Sequence, residues 1–261
     1  MRRVIAIANR KGGVGKTTTA VNLGAALAEQ ALATLIVDCD PQANSTAALG
    51  FPRDPARRSL YHALLLDVPL KDVILKCAIE RLHLVPADKD LVGATVELVD
   101  RSDREHTLRQ KIEPVHDQFD FILLDCPPAL DLLTLNALVA ANSVLVPVQC
   151  EYLALEGVSE LLDTLIRIRR SYNPKLAMEG ILLTMFDERT NLSRQVRDDL
   201  KGFFGDQVFE TVIPRNVRLA EAPSYGQPIT LYDPECRGAE SYLELAKEII
   251  NHDQKSVGAG A

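Results

Sequence analysis

Asn9-Arg10-Lys11-Gly12-Gly13-Val14-Gly15-Lys16-Thr17-Thr18 stands between an apolar run, Val4-Ile5-Ala6-Ile7-Ala8, and a segment patterned as a helix from Thr19 to Gln30. A glycine-rich turn from strand to helix is a place for a phosphate. Glycines let backbone N–H groups point inward with no Cβ in the way, and the helix that starts near Lys16 presents the positive end of its dipole. Gly12, Gly13, Val14, Gly15 and Thr18 then form the cradle. Lys16 reaches the β- and γ-phosphates of a nucleotide, and the Thr17 hydroxyl is placed to ligate Mg²⁺.

Moving outward, Thr34-Leu35-Ile36-Val37 reads as a strand buried on both faces and ends in Asp38-Cys39-Asp40-Pro41-Gln42. Carboxylates at the carboxyl end of a parallel strand lie where open α/β sheets bind ligands. Asp40 is therefore a candidate for orienting an attacking water. Asp38 reads equally as a site residue or as the start of the next loop. Phe119-Asp120-Phe121-Ile122-Leu123-Leu124-Asp125 is the second landmark: an apolar strand closed by a carboxylate, of the kind that holds Mg²⁺ beside a phosphate loop. Cys126-Pro127-Pro128 would follow as a stiff loop near the γ-phosphate.

The remaining segments alternate. Strands are expected at Leu82–Val85, Ser143–Val148 and Leu176–Met185, and helices from Asp88 to about His116 with a break near Ser102, from Glu151 to Tyr172, and after Thr190. Between residues 50 and 80 only short helices are expected. This alternation predicts an α/β fold, a doubly wound and mostly parallel sheet flanked by helices, in one domain over residues 1–251 with a disordered tail at 252–261.

Composition sets bounds on partners. The chain has 261 residues, 47% of them hydrophobic and 25% charged, and a formal net charge of −7. That balance excludes a protein that coats nucleic acid by bulk charge, so any such contact must come from a local patch. The five cysteines form no C-x-x-C pair and read as reduced, buried side chains. No run approaches the length of a membrane span, and the apolar start ends too early for a signal peptide. The expected compartment is the cytoplasm, with no membrane partner.

One local patch stands out. In the helix after Thr190, Leu192, Val196, Leu200 and Phe203 are expected on the buried face, and Arg194, Arg197 and Lys201 share the other side. Arg215 and Arg218 follow near a strand end, making a surface suited to a phosphate backbone. Between 186 and 218, however, six Lys and Arg (189, 194, 197, 201, 215, 218) face six Asp and Glu (187, 188, 198, 199, 206, 210). Charge alone does not announce DNA there.

The phosphate loop departs from G-x-x-x-x-G-K-[ST], because Arg10 occupies the place of the first glycine. What stands instead, K-G-G-V-G-K-T-T, resembles the deviant Walker A loop of the ParA/MinD branch of P-loop NTPases. V-D-C-D-P-Q, L-L-D-C-P-P, V-P-V-Q-C-E-Y-L-A-L-E-G and V-I-P-R-N-V-R-L-A-E-A-P-S-Y-G extend the likeness along nearly the whole chain, which is similar to ParA/Soj-type partition ATPases. The resemblance implies an ATP- and Mg²⁺-dependent ATPase that forms a sandwich homodimer, binds double-stranded DNA without sequence preference at the nucleoid, and is stimulated by a ParB-type partner. It implies that Lys11 crosses to the partner's nucleotide, that Gly12 lies at that interface, that Pro214 and Asn216 border the adenine, and that Arg189 and Arg218 touch DNA. Rival readings share the fold, and one of them, an iron-protein reductase, would need paired cluster cysteines, for which the sequence shows no motif. A MinD-like membrane-positioning ATPase would need a basic amphipathic C-terminal helix, which the residues after Asn251 lack, and a synthase of the dethiobiotin or cobyrinate type would need a further substrate pocket.

Overall fold

The computed structural model describes residues 2–152 and 154–258, with side chains through Asn251. Seven segments rich in Val, Ile and Leu pair into one sheet: β1 (Arg3–Ile7), β2 (Thr34–Asp38), β3 (Leu75–Lys76), β4 (Leu82–Val85), β5 (Phe121–Asp125), β6 (Ser143–Gln149) and β7 (Ala177–Thr184). Their spatial order is β3-β4-β2-β5-β1-β6-β7. Every neighbouring pair is parallel except β3 with β4. That exception follows from chain length, since residues 77–81 are too few for a crossover. The chain instead doubles back, with Arg81 in the left-handed region at φ 68°. A strand of two residues leaves no periodic signal, which is why only helices were expected in that stretch.

The helices are α1 (Lys16–Glu29), α2 (Asn44–Ala48), α3 (Leu60–Leu65), α4 (Leu91–Glu97), α5 (Thr107–Ile112), α6 (Leu132–Ala140), α7 (Ala154–Ser171), α8 (Asn191–Phe204), α9 (Val217–Glu221), α10 (Ile229–Tyr232) and α11 (Arg237–Gly258). Successive strand residues face opposite sides of the sheet, so each strand feeds two cores. Val4, Ala6, Leu35, Val37, Ile122 and Leu124 face one core, closed by α3 to α8. Ile5, Ile7, Ile36 and Leu123 face the other, closed by α1 and by Tyr242, Leu245 and Ile249 of α11.

Register brings the site together. Asp125 at the end of β5 pairs with Ile7 of β1 on one side and with Asp38 of β2 on the other. The three strands therefore end level, and the loops after β1 and β2 open at the same edge as Asp125.

Two expectations about α8 are corrected. Leu192 is 44% and Phe203 75% exposed, whereas Ser193, Val196 and Leu200 are buried and Phe204 packs on the core. The inward positions are 193, 196, 200 and 204; Phe203 stands one residue, about 100° of helix, off that line, while Leu192, though four residues before Val196, lies in the first turn of the helix, where Ser193 takes the inward place. Helix α7 starts at Ala154, after the expected Glu151. Helix α11 runs past Asn251 to Gly258, and the rest of the expected tail lies outside the described residues.

Candidate nucleotide site

The loop after β1 is held open by its neighbours. Asn9 donates from Nδ2 to the Pro147 carbonyl of β6 at 2.7 Å, and its Oδ1 accepts from the Lys11 backbone N–H at 3.0 Å. From the other side, the Thr184 hydroxyl at the end of β7 donates to the Val14 carbonyl at 2.8 Å. Gly13 and Gly15 take φ of 75° and 89°, the left-handed region where a Cβ is strained. Gly15 is also the N-cap of α1, so the turn delivers the chain into that helix and its N–H groups toward the loop.

The two lysines of this loop are placed differently. Lys16 is 7% exposed and donates from Nζ to the Lys11 carbonyl at 2.9 Å, across the mouth of the loop. Burial lowers its pKa, against the opposing pull of Asp125, Cys126 and Asp40. Lys11 points outward, its side chain half exposed, and pairs with Glu151 just beyond β6. Gly12 is exposed, and a Cβ built on it would meet nothing within 4 Å.

Facing the loop are three carboxylates. Asp125 is fully buried; its Oδ2 accepts from the Ser45 hydroxyl at 2.7 Å. The Thr17 hydroxyl leans toward the same carboxylate and helps lower its proton affinity, yet burial dominates and pushes the pKa up to about 6. Asp125 Oδ1 has no hydrogen-bond partner. Asp38 is also fully buried: Oδ2 accepts from the Thr46 backbone N–H at 2.8 Å and hydroxyl at 2.7 Å, and Oδ1 from the Asp40 N–H at 3.2 Å. Burial and then the charge of Asp125 push it up to about 8. Its geometry is that of a fastener for α2. Asp40 is 8% exposed and accepts the Gln42 N–H at 2.9 Å, a turn that holds it at the rim of the loop.

An oxygen donor set of one hydroxyl, Thr17, and one carboxylate with an orphaned buried oxygen, Asp125, fits a hard divalent cation such as Mg²⁺. Among the described residues no three His, Cys, Asp or Glu side chains gather into a metal cage. Mg²⁺ is commonly held by one or two protein oxygens and completes its shell with phosphate and water.

Further along the same edge, Pro214 and Asn216 line a cleft of about 790 Å³ with Phe186, Asp187, Arg189 and Arg215. It lies beyond the end of β7, where the Phe186 N–H, two residues past Thr184, donates to the Ile213 carbonyl. Asn216 caps α9, its Oδ1 accepting from the Arg218 N–H at 2.8 Å. The expected adenine residues and two of the expected DNA residues thus share one cleft.

Comparison with known proteins now gives the family. A family profile described as an AAA domain matches residues 2–178. The chromosome partitioning protein ParA of Myxococcus xanthus is 52% identical over 251 residues, 96% of this chain and 89% of that protein. The sporulation initiation inhibitor protein Soj of Bacillus subtilis is 52% identical over 249 residues, 95% of this chain and 98% of that protein. The chain belongs to the ParA/Soj family of chromosome-partitioning ATPases. Among solved structures, the cobyrinic acid a,c-diamide synthase of Mycobacterium smegmatis with bound ADP and magnesium superposes with a TM-score of 0.86 at 38% identity, covering 98% of this chain and 97% of that one.

Against the expectations for this ParA/Soj member, the basic residues are the ones the structure divides. Arg189 pairs with Asp187, Arg197 with Asp198, Lys201 with Glu210, and Arg218 with both Glu221 and Asp233. Arg194 bonds Asn191. Among the described residues, Arg194 and Arg215 are the candidates with no carboxylate at ion-pair distance. Arg197 and Lys201 are half-buried rather than exposed. Sequence reasoning did not single out Glu151, Ser45, Thr46 or Thr184. Ser45 and Thr46, a hydroxyl pair closely following V-D-C-D-P-Q, were the available signal; the others meet the site only through tertiary contacts.

Proposed function

We propose that this chain is an ATP-dependent, dimeric DNA-partitioning ATPase of the cytoplasm and nucleoid. ATP binding draws two subunits together, their joined basic surfaces hold double-stranded DNA without sequence preference, and slow hydrolysis, stimulated by a ParB-type DNA-binding partner, resets the cycle. The observation that carries this reading is the opposite placement of two lysines in one loop. Lys16 is buried and aimed into the cradle, where it serves the subunit's own phosphates. Lys11 stands outward beside a glycine that no neighbour in its own subunit requires, the arrangement expected of a cation offered to a second subunit's nucleotide.

Within the site the roles follow from position. The backbone from Gly12 to Thr18 cradles the phosphates, Asp40 at the rim orients the attacking water, and Pro214 with the free amide of Asn216 borders the base. Thr17 and Asp125 would hold Mg²⁺, which when bound neutralises charge on the phosphate oxygens. The rim carries no strong general base, so unaided turnover is slow. The name of the M. xanthus relative, chromosome partitioning protein ParA, supports chromosomal DNA as the cargo class. A second reading, an amide-forming synthase, is favoured by the M. smegmatis structure, whose identity of 38% is lower. No described helix is long and apolar enough to cross a membrane.

The test is binding to nonspecific duplex DNA with ATP, with ADP and without nucleotide, at two salt concentrations, with Arg218→Glu as control. Binding that needs ATP, weakens with salt as counterion release requires, and disappears in Arg218→Glu is the expected result. Absence of binding in every nucleotide state, in a protein shown to dimerise, would refute the DNA reading and turn attention to small-molecule chemistry.

A further inference from the structure

Helix α2 touches two places that the proposed function needs to connect. Its first turn is tied to the site carboxylates: the Ser45 hydroxyl donates to Asp125, and the Thr46 hydroxyl and N–H donate to Asp38. Its other end runs into Gly50, at φ 85°, which abuts Gly226, at φ 64°. A Cβ on Gly226 would lie 2.6 Å from Gly50 Cα and 3.1 Å from its N, and one on Gly50 would lie 2.9 Å from the Gly226 carbonyl oxygen. Here two backbones meet with no side chain between them. Gly226 ends the 3₁₀ turn Ala222–Tyr225 that continues directly from α9, the helix of Arg218. Ala48 and Leu49 share one buried core with Leu219 and Ala222 across this contact.

We infer that α2 is the coupling rod between the nucleotide site and the Arg218 surface. A change in how Asp125 and Asp38 are engaged moves Ser45 and Thr46, and a close-packed interior transmits the shift to Gly50 and on to Gly226 and α9. The rod's output as a DNA switch rests on the DNA-binding reading above; the rod itself does not. A glycine on both sides is what such a contact requires, since any side chain would wedge the two segments apart. Two other paths link the site to this region: one reaches α10 from Thr18 through Asn22, whose Oδ1 accepts the Ile229 N–H at 2.7 Å, and one starts from Asn216, which caps α9 by accepting the Arg218 N–H. Neither runs through the Gly50–Gly226 contact, so the routes are separable by mutation.

The experiment measures amide hydrogen exchange in the peptide spanning residues 217–226, with and without ATP and Mg²⁺, in wild type, Gly226→Ala and Gly50→Ala. DNA affinity with ATP and with ADP is measured on the same samples. In wild type, ATP should change exchange in 217–226. In the glycine variants, ATP should still bind while that change is lost, and the ATP-over-ADP ratio of DNA affinity should fall by the share the rod supplies, about 5- to 150-fold for coupling of ordinary size, with the share from dimerisation kept. Because both glycines have left-handed φ, folding is checked by thermal melting, and Thr46→Val supplies an independent cut at the other end of the rod, with Thr46→Ser restoring the hydroxyl. A wild-type segment that ignores ATP, or folded Gly226→Ala and Thr46→Val proteins that respond like wild type, overturns the inference. If the segment responds but DNA binds in no nucleotide state, the coupling stands and the DNA reading falls. If DNA binding needs ATP in wild type and keeps the same ratio in every folded variant, the reading stands and the coupling falls.

Discussion

Replacing Asp38 with Asn should make the nucleotide-free protein progressively more stable than wild type as the pH rises. Asp38 and Asp125 are register partners on adjacent strands, both fully buried, and burial pushes Asp38 from its ordinary value of 3.8 up to about 8. Between those two values the folded chain holds a proton that the unfolded chain has released. Stability from this group is therefore fully present below 3.8 and is lost as pH rises toward and through 8. Burial raises Asp125 as well, and since the two carboxylates titrate as a coupled pair, the stability lost between pH 6 and 8 belongs to the pair, which Asp38→Asn reduces to one titrating group. One proton over two pH units corresponds to roughly 3 kcal/mol at most. At the usual sensitivity of a chain this size, that is about 5–10 °C in Tm. Asn resembles the protonated acid in shape and does not titrate. The assay is thermal unfolding of both proteins by circular dichroism in EDTA at pH 6, 7 and 8. The Tm difference should widen steadily in favour of Asp38→Asn. A difference that stays constant across that range would show that Asp38 is ionised at neutral pH and that the account of the buried pair is mistaken.

Other substitutions address single roles. Lys16→Ala removes a charge-assisted contact to the phosphates and should weaken ATP binding about 10- to 100-fold, read by calorimetric titration, with near wild-type affinity arguing against the cradle. Asp40→Ala should bind ATP but hardly turn it over, so that an ATP-bound dimer persists in size-exclusion chromatography; normal phosphate release would remove Asp40 from the reaction. Glu151→Gln frees Lys11 from a partly solvent-exposed pair. Such pairs contribute at most about 1 kcal/mol, so ATP-dependent dimerisation should tighten by no more than about fivefold in sedimentation equilibrium, and weaker dimerisation would mean that Glu151 itself serves the interface.

Much of the fold was legible because its signals are local. The strand, glycine turn and helix at residues 4–30 are contiguous, and the buried parallel strands announce themselves as unbroken apolar runs. What escaped was set by contacts distant in sequence. Ser45 meets Asp125, Lys11 meets Glu151, Lys201 meets Glu210 and Arg218 meets Asp233, and no spacing rule foretells any of them. The α8 error had a different origin. Two apolar residues at plausible spacing, Leu192 and Phe203, competed with a ladder that begins at a serine, and hydrophobicity alone chose the wrong members. Arg218 with Glu221, by contrast, is an i, i+3 pair on a short helix and could have been read from the sequence as a partly neutralised cation.

That neutralisation bears on how a nucleotide could gate DNA binding. The chain is acidic overall, with a formal net charge of −7, and four of its six candidate cations already face a carboxylate. A phosphate must displace those carboxylates before it gains anything, so one subunit presents a poor surface for DNA. Two subunits held in fixed relation change the arithmetic, because contact free energies add while the entropy of bringing the second surface to the duplex has been met by dimerisation. A patch that binds at about 1 mM alone can bind near 1 μM when doubled. In the proposed function, weakness of the single patch is what would make the switch sharp: a fully unpaired, strongly basic surface would hold DNA as a monomer and leave ATP nothing to control.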